Sequence, residues 1–306
     1  MGYPGRYRPG YPVVRIRRRP QIKAHLFALS AAFILGVAPV ATAQQAGKWT
    51  PGATVRIATE GAYKPWNFRQ PGGAIDGFDI ELAKLLCADI GFKCVIEAER
   101  WASMLPRLDQ GKFDIVFAGM SITEPRKSKA TFTRAYATTP AVFVAAPGGR
   151  QPDTSAPAIT LPTLNRLEEG ALVAIRKSLL NGVVGVQRGT THEIFLRDYI
   201  EGYARIRTYE SQSEMDRDAA RGRLAAMLVS LSYAVPLLRG TETPGLKTIG
   251  PRLSGGPFGE GVGAAVRRSE TQLASAFSNA IEKRLLDGTI RALSVKWFGY
   301  DLSAHP

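Results

Sequence analysis

The sequence predicts an α/β protein of roughly two domains, the first a parallel sheet with helices on its faces. Three observations carry this. Thr54–Thr59, Lys93–Ala98 and Asp114–Ala118 are short β-branched runs separated by two helical patterns, a β-α-β-α-β series. A strand–glycine–hydroxyl–helix design occurs at Asp114–Arg126 and again at Gly182–Tyr199. The length, 306 residues, suits two domains with their own cores.

Composition excludes several classes. A hydrophobic fraction of 45% and a charged fraction of 22% are those of a globular chain. The formal charge of +14 is inflated by the N-terminus: residues 1–43 hold seven of the basic residues and no acid, leaving 33 basic against 26 acidic residues, or +7. No basic run is dense enough for nucleic acid, so none is expected as a partner. Leu26–Val40 is an apolar stretch behind a basic segment, followed by Ala41-Thr42-Ala43. Residues 1–43 therefore read as a cleaved secretory signal and the chain as exported. In an oxidising compartment Cys87 and Cys94 are expected to form a disulfide. Two Cys and the scattered His25, His192 and His305 supply too few ligands for a metal site, and no cofactor is expected.

Taken in order, Thr54–Thr59 alternates as a strand, and Glu60–Trp66 is a turn-rich loop. Phe78, Leu82, Leu85 and Leu86 form one face of a helix over Phe78–Ile90, stopped by Gly91. Lys93–Ala98 is the next strand, and Trp101–Gln110 a helix capped by Gly111. The strand Asp114–Ala118 then delivers Gly119, Met120 and Ser121 to a helix start, with Thr123 or Glu124 near the cap and Pro125 in the first turn. Backbone N–H groups, a hydroxyl and the guanidinium of Arg126 converge there, an arrangement that suits a carboxylate.

Thr131–Pro140 reads as a polar connection, Ala141–Ala146 as a buried strand and Pro147–Pro162 as a loop. Leu164–Leu180 is helical in pattern, Gly182–Gln187 a strand and Glu193–Tyr199 a helix. Arg205–Tyr209, Glu214–Ala220 and Leu224–Ser230 follow as strand, helix and strand, and Leu237–Pro257 reads as loop. Gly261–Arg267 is a strand, with helices over Glu270–Asp287 and Thr289–Phe298. In parallel sheets ligands sit at the carboxyl ends of the strands, which are the loops starting at Glu60, Arg100 and Gly119.

Five pieces in order, TEGAYKPWNF (59–68), GGAIDGFDIELAKLLC (72–87), GKFDIVFAGMSITEPRK (111–127), VGVQRGTTHE (184–193) and LLDGTIRALSVKWFG (285–299), resemble the periplasmic solute-binding proteins of ABC uptake systems, polar amino acid and opine branch (family 3). The resemblance implies a two-lobed, type II periplasmic binding protein fold, each lobe a mostly parallel sheet flanked by helices. Two crossover hinge strands near Pro140 and Glu260 would divide it into a first lobe, 44–140 with 261–306, and a second, 141–260. It also implies a periplasmic monomer without catalysis that hands a small carboxylate-bearing solute to an inner-membrane permease.

By position, the resemblance puts Arg126 on the ligand carboxylate with Ser121 and the turn Ala118-Gly119-Met120. Thr190 and Thr191 would meet the same carboxylate from the second lobe. Tyr63 and Trp101 would pack on the aliphatic part, and Glu60 stands where some members face a cationic side chain. The Cys pair matches members that bind basic amino acids. His192 and Arg188 are assigned to the rim. One position departs: members that hold a free α-ammonium usually carry Asp at the end of the strand after Gly222-Arg223, and here Ser230 stands there, with Ala225 replacing a second acid. A hydroxyl cannot neutralise a buried ammonium. The expectation is a substituted amine such as an opine, a carboxylate without an amine, or an amino acid held through Glu60. An exported dehydratase of the cyclohexadienyl or arogenate type on the same scaffold is the alternative; it needs a general acid, for which Glu60 and His192 are the candidates.

Overall fold

A computed structural model of the chain describes residues 48–145, 148–240 and 245–305. The signal-peptide expectation for 1–43, and Ala146, lie outside them.

The chain begins with β1 (Thr54–Thr59), then a small antiparallel sheet of β2 (Ala62–Tyr63), β3 (Asn67–Arg69) and β4 (Ile75–Asp76). Helix α1 (Phe78–Ile90) buries Phe78, Leu82 and Leu86, and ends where Gly91 turns left-handed and its N–H closes on the Cys87 and Ala88 carbonyls. β5 (Lys93–Ala98) pairs in parallel with β1 from Thr54↔Lys93 to Thr59↔Ala98. A disulfide joins Cys87 in α1 to Cys94 in β5.

The expected helix over Trp101–Gln110 is split. Trp101–Ser103 is a 3-10 turn and α2 covers Met104–Asp109, with Pro106 in its first turn, where no N–H is needed. β6 is only Ile115–Val116, although Asp114 and Phe117 donate their N–H groups to the Arg56 and Ala58 carbonyls and extend the run. Next come α3 (Glu124–Lys127), β7 (Thr131–Phe132) and β8 (Ala141–Ala145).

The following segment holds β9 (Ala158–Leu161), α4 (Arg166–Leu179), β10 (Val183–Gln187), α5 (Thr191–Tyr199), β11 (Arg205–Tyr209), α6 (Gln212–Ala220), β12 (Ala226–Ser230), α7 (Leu231–Arg239) and β13 (Lys247–Gly255). β14 (Ala265–Val266), α8 (Thr271–Leu286) and α9 (Thr289–Phe298) close the chain.

Two larger sheets result, ordered β5-β1-β6-β14-β7 and β11-β10-β12-β8-β13-β9. Both are mixed. β1, β5 and β6 run parallel, as do β10, β11 and β12, while β14 and β8, the first strands laid down after each return, are antiparallel to their neighbours. Each sheet is covered on both faces. In β8, Ala141, Phe143 and Ala145 join the core under α4 and α5, and Val142 and Val144 join the core under α6 and α7. That two-sided burial is why the segment reads as an unbroken apolar run. The chain crosses between the sheets twice, and the crossings touch where Ala137 and Val262 form an antiparallel bridge.

Regular structure also occurs inside segments that read as loop. β9 lies inside the Gly/Pro/Ser-rich 147–162 segment, and β13 inside Leu237–Pro257. In β13, Gly250-Pro251 looks like a turn, but a shift of register between Ile249 and Leu253 absorbs it, and pairing with β8 and β9 holds both flanks. Helix α7 carries Pro236, which masks its pattern.

Replacing both cysteines by Ser opens a loop of sequence separation 7. The unfolding free energy should fall by about 2 kcal/mol, read as a lower denaturant midpoint at unchanged slope. An unmoved midpoint would show that helix packing alone holds α1 on β5.

Candidate functional site

The carboxyl ends of β1 and β6 face those of β10 and β12 across a narrow cavity. Glu60, Tyr63, Trp101, Ala118, Gly119, Ser121 and Arg126 line it from one side, and Gln187, Thr190, Thr191, His192 and Gln212 from the other. Its free volume is about 40 Å³, far below the ~300 Å³ at the lower end for ligand pockets. Entry of a ligand therefore requires the two sides to part.

Arg126 projects from α3, whose N-cap is Thr123 and whose first turn contains Pro125. Its Nη1 donates to the Ser121 carbonyl at 2.9 Å, and its Nη2 to the Gly189 carbonyl of the opposite side at 3.3 Å. The guanidinium lies 5.2 Å from the Trp101 ring centroid. Burial lowers its pKa to about 10, so it stays charged at neutral pH. Among the described residues no carboxylate pairs with it. A desolvated cation with spare donors facing a cavity can pair with an anion.

The turn that positions Arg126 depends on Gly119. Its φ is +59°, and a Cβ there would stand 3.3 Å from the Trp66 and Tyr63 rings; both the left-handed backbone and the close rings favour glycine. Opposite, Thr190 caps α5: its Oγ1 donates to the Gln187 carbonyl at 2.7 Å and accepts from the Glu193 N–H. Its hydroxyl is thus committed to the turn, and Thr191 stands at the helix start beside it.

Glu60 is the acid of the cavity. Gln187 Nε2 donates to it at 2.7 Å, burial raises its pKa to about 7, and among the described residues it has no cationic partner. It also borders an outer chamber of about 490 Å³ with Arg69, Glu99, Arg100 and Trp101. Burial, then the charge of Arg126, lower His192 to about 4, so its imidazole is neutral at pH 7.

Ala118, Gly119, Ser121, Arg126, Glu60, Tyr63, Trp101, Thr190 and Thr191 are thus brought together as expected. Two residues are not. Met120 is 1% exposed and packs into the core with Ala58, Met104 and Val116, because the turn points its side chain inward. Ser230 lies one step away, in a small hinge-side cavity with Thr139, Ala141, Phe258 and Val262 that shares Tyr63, Ser121 and Thr191 with the main one. Its hydroxyl is within 2.5 Å of the Tyr63 hydroxyl and 3.0 Å of Ser232 Oγ. Ala225 is exposed at the opposite end of its strand, outside the cavity.

The Tyr63 ring lies parallel to Tyr233 at 5.2 Å and to Trp66 at 6.5 Å, and Trp101 donates Nε1 to Gly189 O, while both border the cavity. One placement differs from expectation. His192, assigned to the rim, lines both cavities, whereas Arg188 is exposed on Glu210. Sequence reasoning missed Gln187 and Gln212. Gln187 ends β10 just before the Gly-Thr-Thr turn, a position that the strand-end rule covers; Gln212, at the start of α6, carries no such signal.

The profile of the bacterial extracellular solute-binding proteins, family 3, matches residues 55–300. The octopine-binding periplasmic protein of Rhizobium meliloti is 30% identical over 272 residues, 82% of this chain and 92% of that protein. The L-arginine-binding protein of Pseudomonas aeruginosa is 30% identical over 252 residues, 81% and 89% of the two chains. An ancestral arginine-binding protein solved with arginine superposes with a TM-score of 0.67 at 27% identity, covering 80% of this chain and 98% of that one.

Glu60 and Asp79, both raised to about 7, keep protons in the fold that the unfolded chain releases. Each lowers stability as pH rises from its ordinary value toward 7. His192, lowered to about 4, acts in the opposite sense below its ordinary value, one group against the raised carboxyls, among which burial also places Asp216. The ligand-free protein should therefore lose thermal stability from about pH 4.5 to about pH 7, and Glu60→Gln should flatten the slope. A melting temperature that climbs through this window contradicts the assignment.

Proposed function

The chain belongs to the bacterial extracellular solute-binding proteins of family 3, and from that membership we propose that it is the periplasmic binding component of an ABC transporter for an amino acid or opine. The relatives it matches are named as binding proteins, which favours binding over the dehydratase alternative. The observation that carries the reading is Arg126: charged, desolvated, without an acid partner among the described residues, and shared between the two sides of the cavity through Ser121 and Gly189.

In this reading the ligand carboxylate meets Arg126, Ser121 and the N-terminal turn of α5 at Thr191. A cationic far end meets Glu60 and Gln187. The lobes are residues 44–140 with 261–306 and residues 141–260, hinged where Ala137 and Val262 meet; a monomer delivers the closed form to the permease. Residues 1–43 direct export.

The finer identity of the ligand turns on the hinge side. Ser230, Ser121, Thr139 and Thr191 offer hydroxyls there, and among the described residues no acid lines that cavity. A free α-ammonium finds no counter-charge in it. An N-substituent bearing a second carboxylate finds donors. An opine-type guanidino compound, with carboxylates toward Arg126 and the hinge and a cation toward Glu60, fits better than a neutral amino acid.

A thermal-shift screen tests this. At 100 times its dissociation constant a ligand adds about 2.7 kcal/mol. Octopine should raise the melting temperature most, L-arginine less, and glycine and alanine not at all. Equal shifts from neutral amino acids would overturn the opine reading, and no shift from any carboxylate would overturn the function. A cationic ligand needs Glu60 ionised, so its affinity should rise about tenfold between pH 6 and pH 8. Calorimetry should show that rise in the wild type and a flat, weaker profile in Glu60→Gln; the same profile in both contradicts a cation at Glu60.

A further inference from the structure

Asp79, the second residue of α1, lines neither cavity and is fully buried. Three separate segments converge on its carboxyl. Asn67 Nδ2 donates to Oδ2 at 3.0 Å, the Tyr136 hydroxyl donates to Oδ1 at 2.8 Å, and the Gly119 backbone N–H is turned toward the same carboxyl. Each partner leads somewhere that matters for binding. The other end of the Asn67 amide, Oδ1, accepts the Gly61 N–H at 2.8 Å and so fixes the loop that begins at Glu60. Gly119 is the pivot of the turn whose Ser121 carbonyl receives Arg126. Tyr136 adjoins the first crossover and donates its own N–H to Val262 of the second.

From this convergence we propose that Asp79 is the positioning residue of the binding site: it sets the separation between the anion receptor at Arg126 and the cation receptor at Glu60, and it ties both to the hinge. The proposal rests on the binding function above but touches no ligand. When ionised, a carboxylate suits the task because it then only accepts, so three donor groups can face one point. An amide at this place presents N–H groups to one of them, leaving a buried donor unpaired. The groups that face Asp79 are Asn67, Tyr136 and the Gly119 amide; Glu60 is the other acid acting on the neighbouring Tyr63, and no cation acts on Asp79 itself. Without a cation, burial raises its pKa to about 7.

The test has a ligand-free arm and a ligand arm. In the ligand-free protein, amide hydrogen exchange at Gly61 and Gly119 is compared with that of Ile57 in β1, an internal control for global opening. Asp79→Asn should speed exchange at both glycines by at least about tenfold with Ile57 unchanged, although the two glycines belong to different loops. Asn67→Ala should release Gly61 alone. In the ligand arm, octopine and L-arginine should bind Asp79→Asn at least about tenfold more weakly at pH 8. If neither binds the wild type, the function is wrong while the exchange arm still decides the role of Asp79. Should Asp79→Asn fail to fold, Asn67→Ala and Tyr136→Phe carry both arms, each expected to weaken binding. Unchanged exchange at Gly61 in Asp79→Asn, exchange that rises equally at Ile57, or full affinity in the variants would overturn the proposal.

Discussion

A guanidinium held out of water, with no counter-ion among the described residues, is the constraint on which the rest depends. Arg126 keeps its charge in a half-buried place, against two carbonyls and the face of Trp101 and near the neutral imidazole of His192. Such a group is costly to keep and is best completed by an anion from outside. The local structure serves to hold it there. Thr123 and Pro125 start a single helical turn, Gly119 permits the backbone reversal, and the Ser121 carbonyl fixes one edge of the fork. Because the Gly189 carbonyl takes another edge from the opposite side, the same cation joins chemistry to closure.

Closure has further supports that need no ligand. Gln187 reaches Glu60, Tyr63 reaches Ser230, and Trp66 reaches Ser232, each bond running between the two sheets' loops. A ligand entering the cleft must displace or supplement these. Glu60 and Arg126 give the cleft opposite charges at two points, and the hydroxyl-lined hinge side gives it a third, neutral region.

Much of this could be read from the residues. Long periodic elements such as α1 and α8 and the two-sided strand β8 announce themselves because burial imposes the pattern. The anion receptor was legible because strand end, glycine and helix start are adjacent in the chain at both Gly119 and Gly189. What was illegible is made by distant pairing. β13 contains Gly250-Pro251 and is a strand only because β8 and β9 flank it. Met120 faces the core and Tyr63 bonds Ser230 for reasons set by packing across the fold, and Gln212 enters from a helix with no local signature. The Asp79 junction gathers residues 67, 119 and 136, which no spacing rule connects.

The most direct measurement of the central claim is a cycle in which the best ligand of the screen and its carboxamide are titrated calorimetrically against the wild type and Arg126→Gln. If the carboxylate is held by the guanidinium, the wild type prefers the acid over the amide by at least about tenfold, and the variant binds both about equally weakly. A wild type indifferent to the exchange of carboxylate for amide, or a variant that keeps the full preference, would contradict the account.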